Sequence, residues 1–176
     1  HLAIVDISGT FEDGRSEKAF VNSSEMQTDV SLPPGIEYPH SIELDKTTET
    51  LFVGFENPYN GENAVEILCI DVADPANPVI VDYLADSIAK NPGSGGAEVT
   101  ALEYHDGYVF GGVADETVSP EEARVLRLQY DGGVSYEQSD SIWTSPDTGP
   151  VSFAQRQLSV SSSGVFAVGN EQRLTN

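Results

Sequence analysis

Three short apolar segments recur at a constant spacing along this chain of 176 residues. They begin at Leu51, Tyr108 and Val165, so that consecutive segments start 57 residues apart, and each follows a short turn. A unit of roughly 50 to 60 residues that holds four strands is typical of a β-propeller blade. The spacing therefore favours repeated four-stranded blades.

The strands themselves are indicated by hydrophobic patterning. Apolar and polar residues alternate in short runs bounded by Gly, Pro, Asn and Asp, and no stretch keeps a helical period for three turns. The chain is therefore predicted to be all-β. The predicted strands cover residues 2–7, 18–22, 39–45, 50–55, 64–72, 78–84, 97–104, 107–113, 123–130, 134–143, 153–160 and 164–169.

These strands predict a single β-propeller domain, residues 1–176, built from antiparallel blades. Residues 36–88 and 93–143 supply two whole blades, residues 1–30 the outer strands of one more, and residues 150–170 the inner strands of another. About three blades are present, whereas propellers typically close with about four to eight. We expect a fragment of a six- to eight-bladed propeller, completed by a further chain segment or a second copy. A β-sandwich is the alternative fold.

The charge of the chain limits its partners. Twenty-nine acidic residues face eight basic ones, giving a formal net charge of −21, which repels phosphate backbones and anionic lipids. Nucleic acid is therefore excluded as an expected partner. No apolar run reaches the roughly 18 to 20 residues of a membrane-spanning helix, so no membrane span is expected.

Other residue types carry little chemistry. Asn22 begins an N-glycosylation acceptor pattern, which points to an extracellular, secreted glycoprotein. Residues 56–63 (ENPYNGEN) offer oxygen ligands for calcium but lack the spacing of a calcium-binding hand. Three separated histidines and the single cysteine, Cys69, form no zinc signature. We assign no metal ligand and no cofactor, with calcium kept as the one ion that the loop could suit.

Two segments resemble the LVIVD repeat of extracellular propellers. Residues 2–8 (LAIVDIS) and 68–79 (LCIDVADPANPV) share an apolar strand, and the second continues into an Asp-Pro-Ala-Asn-Pro turn. The resemblance implies a third blade strand, a turn and a fourth strand. It bears on fold and says little about chemistry.

A second resemblance is to the seven-bladed lactonase family, which includes 6-phosphogluconolactonase and the fungal muconate-lactonizing enzymes. It rests on residues 38–45 (YPHSIELD) before 51–53 (LFV), and on residues 155–160 (QRQLSV) before 164–171 (GVFAVGNE). The family has Pro-His before one inner strand, Arg-His before another, and Asn-Glu after the partner of that strand. Gln157 stands where the second histidine is expected.

The repeat aligns three polar residues on the inner strands. His40 and Glu98 each lie four residues before the leucine that ends their run, and Arg156 lies two residues before its leucine. Blades arranged around one axis bring such positions toward a common funnel. Glu171, at the end of a hairpin, lies near one end of that funnel.

The lactonase resemblance implies a site that hydrolyses or isomerises a lactone or sugar acid. Lactone hydrolysis needs a base that activates water and a cation or amide donor for the carbonyl oxyanion. We assign the base to His40 or Glu171 and the oxyanion, or an acidic substituent, to Arg156. Glu98 and Gln157 are assigned to substrate binding.

The alternative function is a non-catalytic extracellular propeller used for adhesion, binding or assembly. Convergence of the polar residues in one pocket favours the enzyme, and scattered side chains favour the alternative. If the strand register is correct, eight apolar residues should be buried between blades. They are Leu44, Val53, Ile70, Val99, Val109, Leu126, Leu158 and Phe166.

Overall fold

The computed structural model describes seven stretches of the chain. They are residues 39–55, 65–74, 77–85, 87–89, 97–115, 122–144 and 151–173, and in the last stretch the side chains described are those of residues 158–165. Within these stretches the chain is all-β, as predicted, with a 3-10 turn at Gln138–Asp140 and no α-helix. None of the described residues belongs to a helix long and apolar enough to cross a membrane.

The strands follow the chain in simple hairpin order. They are β1 (Pro39–Asp45), β2 (Thr50–Phe55), β3 (Val65–Asp71), β4 (Val79–Ala85), β5 (Glu98–His105), β6 (Tyr108–Asp115), β7 (Glu122–Gln129), β8 (Ser141–Thr144), β9 (Val151–Ser161) and β10 (Gly164–Arg173). The first sheet has the order β1-β2-β3-β4 and the second β5-β6-β7-β8, while β9 and β10 form a two-stranded third sheet. All pairings are antiparallel.

The sheets pack face to face through two apolar layers. Phe52 and Ile67 of the first sheet share a core with Val99 and Val109 of the second. The opposite face of the second sheet packs on the third, where Leu158 joins a buried cluster with Ala101, Phe110 and Val125. Alternation along each strand of the second sheet supplies both layers, because successive side chains point to opposite faces.

Local turn chemistry closes the hairpins. Asp106 and Gly107 have φ of 49° and 82°, the left-handed pair that a two-residue type I′ hairpin requires. After β3, Asp71 Oδ1 accepts the Ala73 N–H at 2.9 Å, and Asp74 Oδ2 accepts the Asn77 side-chain amide at 2.8 Å. Asp71 and Asp74 thus form local hydrogen bonds in the connection between β3 and β4, as Asp residues often do in turns.

A buried carboxylate on the first sheet binds the chain segment that leads from the first sheet to the second. Glu66 on β3 is fully buried, and its two oxygens accept the backbone N–H groups of Ser87, Ile88, Ala89 and Ala97 at 2.8 to 3.1 Å. These donors lie between β4 and β5. Burial raises the pKa of Glu66, and the four N–H groups oppose that rise.

A buried arginine on the second sheet binds the same chain segment between β4 and β5. Arg124 on β7 donates to the Ile88 carbonyl and to Asp115 Oδ2, both at 2.7 Å, and to the Tyr136 hydroxyl at 2.7 Å. The charge of Arg124 is therefore paired by the carboxylate of Asp115, which is also fully buried. Removing either partner would leave an uncompensated buried charge.

The predicted burial of core residues is confirmed with one exception. Six residues are 0 to 5% exposed, namely Val53, Ile70, Val99, Val109, Leu126 and Leu158. Leu44 is 41% exposed, so that prediction is wrong. Leu44 pairs with Leu51 on the face of the first sheet that points away from the second sheet, at the end strand β1. The side chain of Phe166 lies outside the described residues.

The predicted strand 134–143 is also wrong over most of its length. Only Ser141–Thr144 forms a ladder with β7, and Val134 makes an isolated bridge to Tyr130. The Val134 N–H donates to Asp82 Oδ2 on the first sheet at 2.7 Å, which draws this segment out of the second sheet. The predicted strands 2–7 and 18–22 lie outside the described residues.

Replacing Glu66 with glutamine should destabilise the protein strongly. The Glu66→Gln amide presents N–H donors to two of the backbone N–H groups that the carboxylate now satisfies, so we expect a loss of about 2 to 4 kcal/mol in the free energy of unfolding. Urea unfolding measures the loss. Glu49→Gln, at an exposed turn position, is the matched control and should change stability by less than about 0.5 kcal/mol. Equal stability of the two variants would contradict the assigned role of Glu66.

Candidate functional site at the inner strands

The first strands of the three sheets lie next to one another. β1 lies against β5, and β5 lies against β9; we call these three the inner strands. The Ser41 hydroxyl, near the start of β1, donates to the Val99 carbonyl near the start of β5 at 3.0 Å. Near the ends of the same strands, the Tyr104 N–H donates to the Glu43 carboxylate. β1 and β5 therefore run in the same direction.

Each inner strand contains one β-bulge where it pairs with the second strand of its sheet. The residue skipped by the pairing is His40 on β1, Thr100 on β5 and Arg156 on β9. A bulge re-aims the side chain of the extra residue, and bulges are over-represented next to active sites. Two of the three skipped residues are candidate catalytic residues predicted from the sequence.

His40 and Glu98 are brought together across β1 and β5. Nδ1 of His40 lies 2.9 Å from Oε1 of Glu98. The two side chains are 35% and 16% exposed, so the pair is half-buried but open to solvent on one side. When His40 is neutral, this contact places its proton on Nδ1 and leaves Nε2 as an acceptor.

A glycine on β2 permits this close approach. A Cβ atom at Gly54 would lie 2.8 Å from both Cγ1 and the carbonyl oxygen of Val99, and would also collide with the Ser41 hydroxyl. Such separations are shorter than a carbon atom tolerates, so any side chain at Gly54 would push the first sheet away from β5. Gly54 thereby sets the spacing between His40 and Glu98.

The other predicted site residues are placed through their backbone. Arg156 is the skipped residue of the β9 bulge, Gln157 pairs with Val168, and Glu171 pairs with Phe153 near the start of β9. Their side chains lie outside the described part of the chain. So do Asn22 and the proposed calcium loop at residues 56–63. In the described stretches no group of three or more metal-binding side chains is present.

The far end of β1 and β5 is acidic and partly buried. Burial raises the pKa of Glu43, and the nearby charge of Glu103 adds to that rise. Burial also opposes ionisation of Asp45, but hydrogen bonds from the Thr48 hydroxyl and from the N–H groups of Thr47 and Thr48 hold the pKa of Asp45 below its usual value. Burial and the charge of Asp45 raise the pKa of Tyr104.

Sequence reasoning assigned no site role to Thr100, Ser41 or Gly54. Thr100 could have been found, because it lies two residues before its leucine, as Arg156 does. Its hydroxyl donates to the Gly112 carbonyl at 3.2 Å. The contacts of Ser41 and Gly54 connect residues 58 and 45 positions away in the sequence, and no local pattern indicates them.

Comparison with protein-family models, with curated proteins and with solved structures gave no match. The lactonase and LVIVD resemblances therefore rest on the quoted residues of this chain.

Gly54→Ala should destabilise the protein by about 1 to 3 kcal/mol, because the added methyl group overpacks the contact between β2 and β5. The free energy of unfolding in urea measures the effect. Gly111→Ala is the matched control, since a Cβ there meets its nearest neighbour at an ordinary 3.8 Å and the φ angle needs no glycine. A loss in Gly111→Ala as large as in Gly54→Ala would contradict a specific packing role for Gly54.

Glu43→Gln should raise stability at neutral pH and have no such effect in acid. Because the pKa of Glu43 is raised on folding, its carboxyl destabilises the folded state once the pH exceeds the unfolded value of 4.5. Solvent screening limits the gain to about 0.5 kcal/mol at pH 7. Thermal unfolding at pH 7 and at a pH below 4.5 gives the comparison. A gain that is equal at both pH values would contradict the raised pKa.

Proposed function

We propose that the chain is part of a β-propeller with a lactone- or sugar-acid-processing site at the opening lined by its inner strands. The observation that carries this proposal is the 2.9 Å contact between His40 and Glu98 across two neighbouring inner strands. The propeller arrangement is supported by the face-to-face stacking of antiparallel sheets whose first strands are neighbours. A β-sandwich has two facing sheets, whereas three successive sheets stack here.

His40 is the proposed general base. With its Nδ1 proton donated to Glu98, its Nε2 atom can take a proton from a water molecule that attacks the lactone carbonyl. The attack breaks the carbonyl π bond and places negative charge on oxygen. Collapse of this intermediate expels the ring oxygen, which receives the proton from His40, and the lactone opens to a hydroxy acid.

Glu98 is then a positioning residue. Its carboxylate orients the imidazole ring and stabilises the positive charge that His40 gains during water attack, as carboxylates do beside histidine bases. This role differs from the substrate-binding role predicted from the sequence. Gln157 retains its proposed role in substrate binding, and Glu171 remains the second candidate base.

Arg156 is proposed to stabilise the oxyanion. A guanidinium group offers paired N–H donors to an oxyanion or to a substrate carboxylate. The bulge at Arg156 distinguishes it from its neighbours on β9, as the bulge at His40 does on β1. In a protein of net charge −21, a local cation is also needed to hold an anionic sugar acid.

The proposal includes the setting in which the protein acts. We infer an extracellular protein glycosylated at Asn22, from the acceptor pattern and the LVIVD resemblance. Residues 56–63 remain the one candidate site for a calcium ion.

A panel of γ- and δ-lactones of sugar acids tests the function by following acid release. Arg156→Ala should lower turnover by about 100- to 1000-fold, the usual loss for one oxyanion donor. His40→Gln should lower it by about 100- to 10,000-fold. His105→Gln is the control, since His105 is equally exposed but lies at the β5–β6 turn, and it should retain parental turnover.

Two results would contradict this function. Unchanged turnover in His40→Gln and Arg156→Ala would exclude both residues from catalysis. If the parent protein opens no lactone of the panel, the non-catalytic extracellular propeller becomes the better account. That second candidate is favoured by the LVIVD-like strand β3, whose residues Leu68 and Ile70 are fully buried and act in packing.

A further inference from the structure

One hydrogen bond crosses from the first sheet to the second directly beside the His40–Glu98 pair. The Ser41 hydroxyl donates to the Val99 carbonyl at 3.0 Å, and each of these two residues immediately follows a member of the pair. Because β1 and β5 belong to different sheets, no backbone ladder joins them. The side-chain bond therefore ties the two strands at the position where the candidate base meets its carboxylate.

The Ser41 hydroxyl fits into space that a missing side chain on β2 provides. Ser41 pairs with Gly54, and a Cβ atom at Gly54 would collide with the Ser41 hydroxyl and would lie 2.8 Å from the Val99 carbonyl oxygen. A hydroxyl group is small enough for this space and supplies the one donor that the carbonyl accepts. The packing of β2 and the hydrogen bond from β1 thus converge on the same carbonyl of β5.

The β-bulge makes the direction of the His40 side chain depend on its neighbours. Pro39 and Ser41 both pair with residues of β2, whereas His40 between them is skipped. The extra residue of a bulge has no partner on the adjacent strand to fix its orientation. The orientation of the His40 ring is then set by the two flanking residues and by its contact with Glu98. Of the two flanking residues, Ser41 is the one that is hydrogen-bonded to β5.

We propose that Ser41 is a positioning residue, whose hydrogen bond to Val99 keeps the proton of neutral His40 on Nδ1, next to Glu98. Without this bond the start of β1 moves away from β5, the 2.9 Å contact lengthens, and the imidazole returns toward the Nε2–H tautomer that histidine favours in water. Nε2 is then a donor and no longer accepts a proton from water. The effect on catalysis rests on the proposed function, whereas the effect on the tautomer does not.

Other bonds between the two sheets should keep the protein folded when the Ser41 hydroxyl is removed. At the far end of β1 and β5, the Tyr104 N–H donates to the Glu43 carboxylate. Near the same end, the hydroxyl groups of Thr50 and Tyr130 share a hydrogen bond of 3.1 Å. Both contacts join the first sheet to the second without involving Ser41. We therefore expect Ser41→Ala to loosen β1 at its starting end only.

Nitrogen-15 NMR of the imidazole groups tests the proposal on the full chain, without substrate, in mildly alkaline solution. The signals of His40 are assigned by their absence from the spectrum of His40→Gln. In the parent protein, the shifts should show a proton on Nδ1 and none on Nε2. In Ser41→Ala, both shifts should move toward those of the Nε2–H tautomer. Ser41→Cys keeps a weak S–H donor and should give intermediate shifts, so it supplies the test if Ser41→Ala does not fold.

Tyr130→Phe is the matched control, because it also removes one hydroxyl group between the same two sheets, but at the far end of the inner strands. It should lower the free energy of unfolding in urea by a similar amount and leave the His40 shifts at their parental values. Parental His40 shifts in Ser41→Ala and Ser41→Cys would overturn the proposal. So would an equal change of those shifts in Tyr130→Phe, or a parent protein in which His40 carries its proton on Nε2.

Turnover separates this proposal from the proposed function. If the parent opens lactones, Ser41→Ala should lower kcat by up to about 100-fold with little change in KM, since a displaced catalytic group costs rate more than binding. Parental kcat in a Ser41→Ala protein with changed His40 shifts would overturn the catalytic part of the proposal. A parent that opens no lactone contradicts the proposed function, whereas the NMR comparison still decides whether Ser41 positions His40.

Discussion

The position of the second sheet depends on one buried carboxylate, that of Glu66. It satisfies four backbone N–H groups in the connection between β4 and β5, at described residues (87–89 and 97) that belong to no strand. Arg124 of the second sheet donates a hydrogen bond to the Ile88 carbonyl in the same connection. The crossing between sheets is thereby fixed from both sides, by groups whose loss would leave buried polar atoms unsatisfied.

The geometry of the inner strands follows from that crossing. Once the connection is fixed, β5 starts beside β1, Ser41 reaches the Val99 carbonyl, and Glu98 meets His40. The absence of a side chain at Gly54 lets β2 pack this close to Val99 on β5. The His40–Glu98 contact is therefore a product of sheet placement, which explains how residues 58 positions apart in the sequence form a pair.

The strands and the candidate site differ in how far the sequence could predict them. Alternation and turn residues located β1 to β7 well, because β2 to β7 each bury apolar side chains and β1, β3 and β6 end at an Asp. The segment before β8 was mispredicted because its pattern is strand-like, whereas the bond from Val134 to Asp82 is a tertiary contact. Leu44 was expected in the core because it is an apolar residue on a predicted inner strand. The local sequence does not indicate which face of that strand is left without a neighbouring sheet.

At the site, the repeat predicted the neighbourhood of His40 and Glu98 but not their roles. Their alignment relative to the leucines indicated the strand position, whereas the contact of Nδ1 of His40 with Glu98, which favours Glu98 as a positioning residue, depends on how the two sheets pack. The bulges at His40, Thr100 and Arg156 were also hidden from the sequence, since a bulge depends on the register of two strands.

Cross-linking of paired cysteines tests most directly whether Arg156 faces the same opening as Glu98. Cys69 does not interfere, because burial raises the pKa of its thiol to about 12 and leaves it unreactive. The variant Glu98→Cys/Arg156→Cys, treated with a short bismaleimide, should form an intramolecular cross-link at a yield similar to His40→Cys/Glu98→Cys. Glu98→Cys/Thr144→Cys, which joins an inner strand to the outer strand β8, should form none. A yield for the Arg156 pair no higher than that of the Thr144 pair would contradict a shared opening at the inner strands.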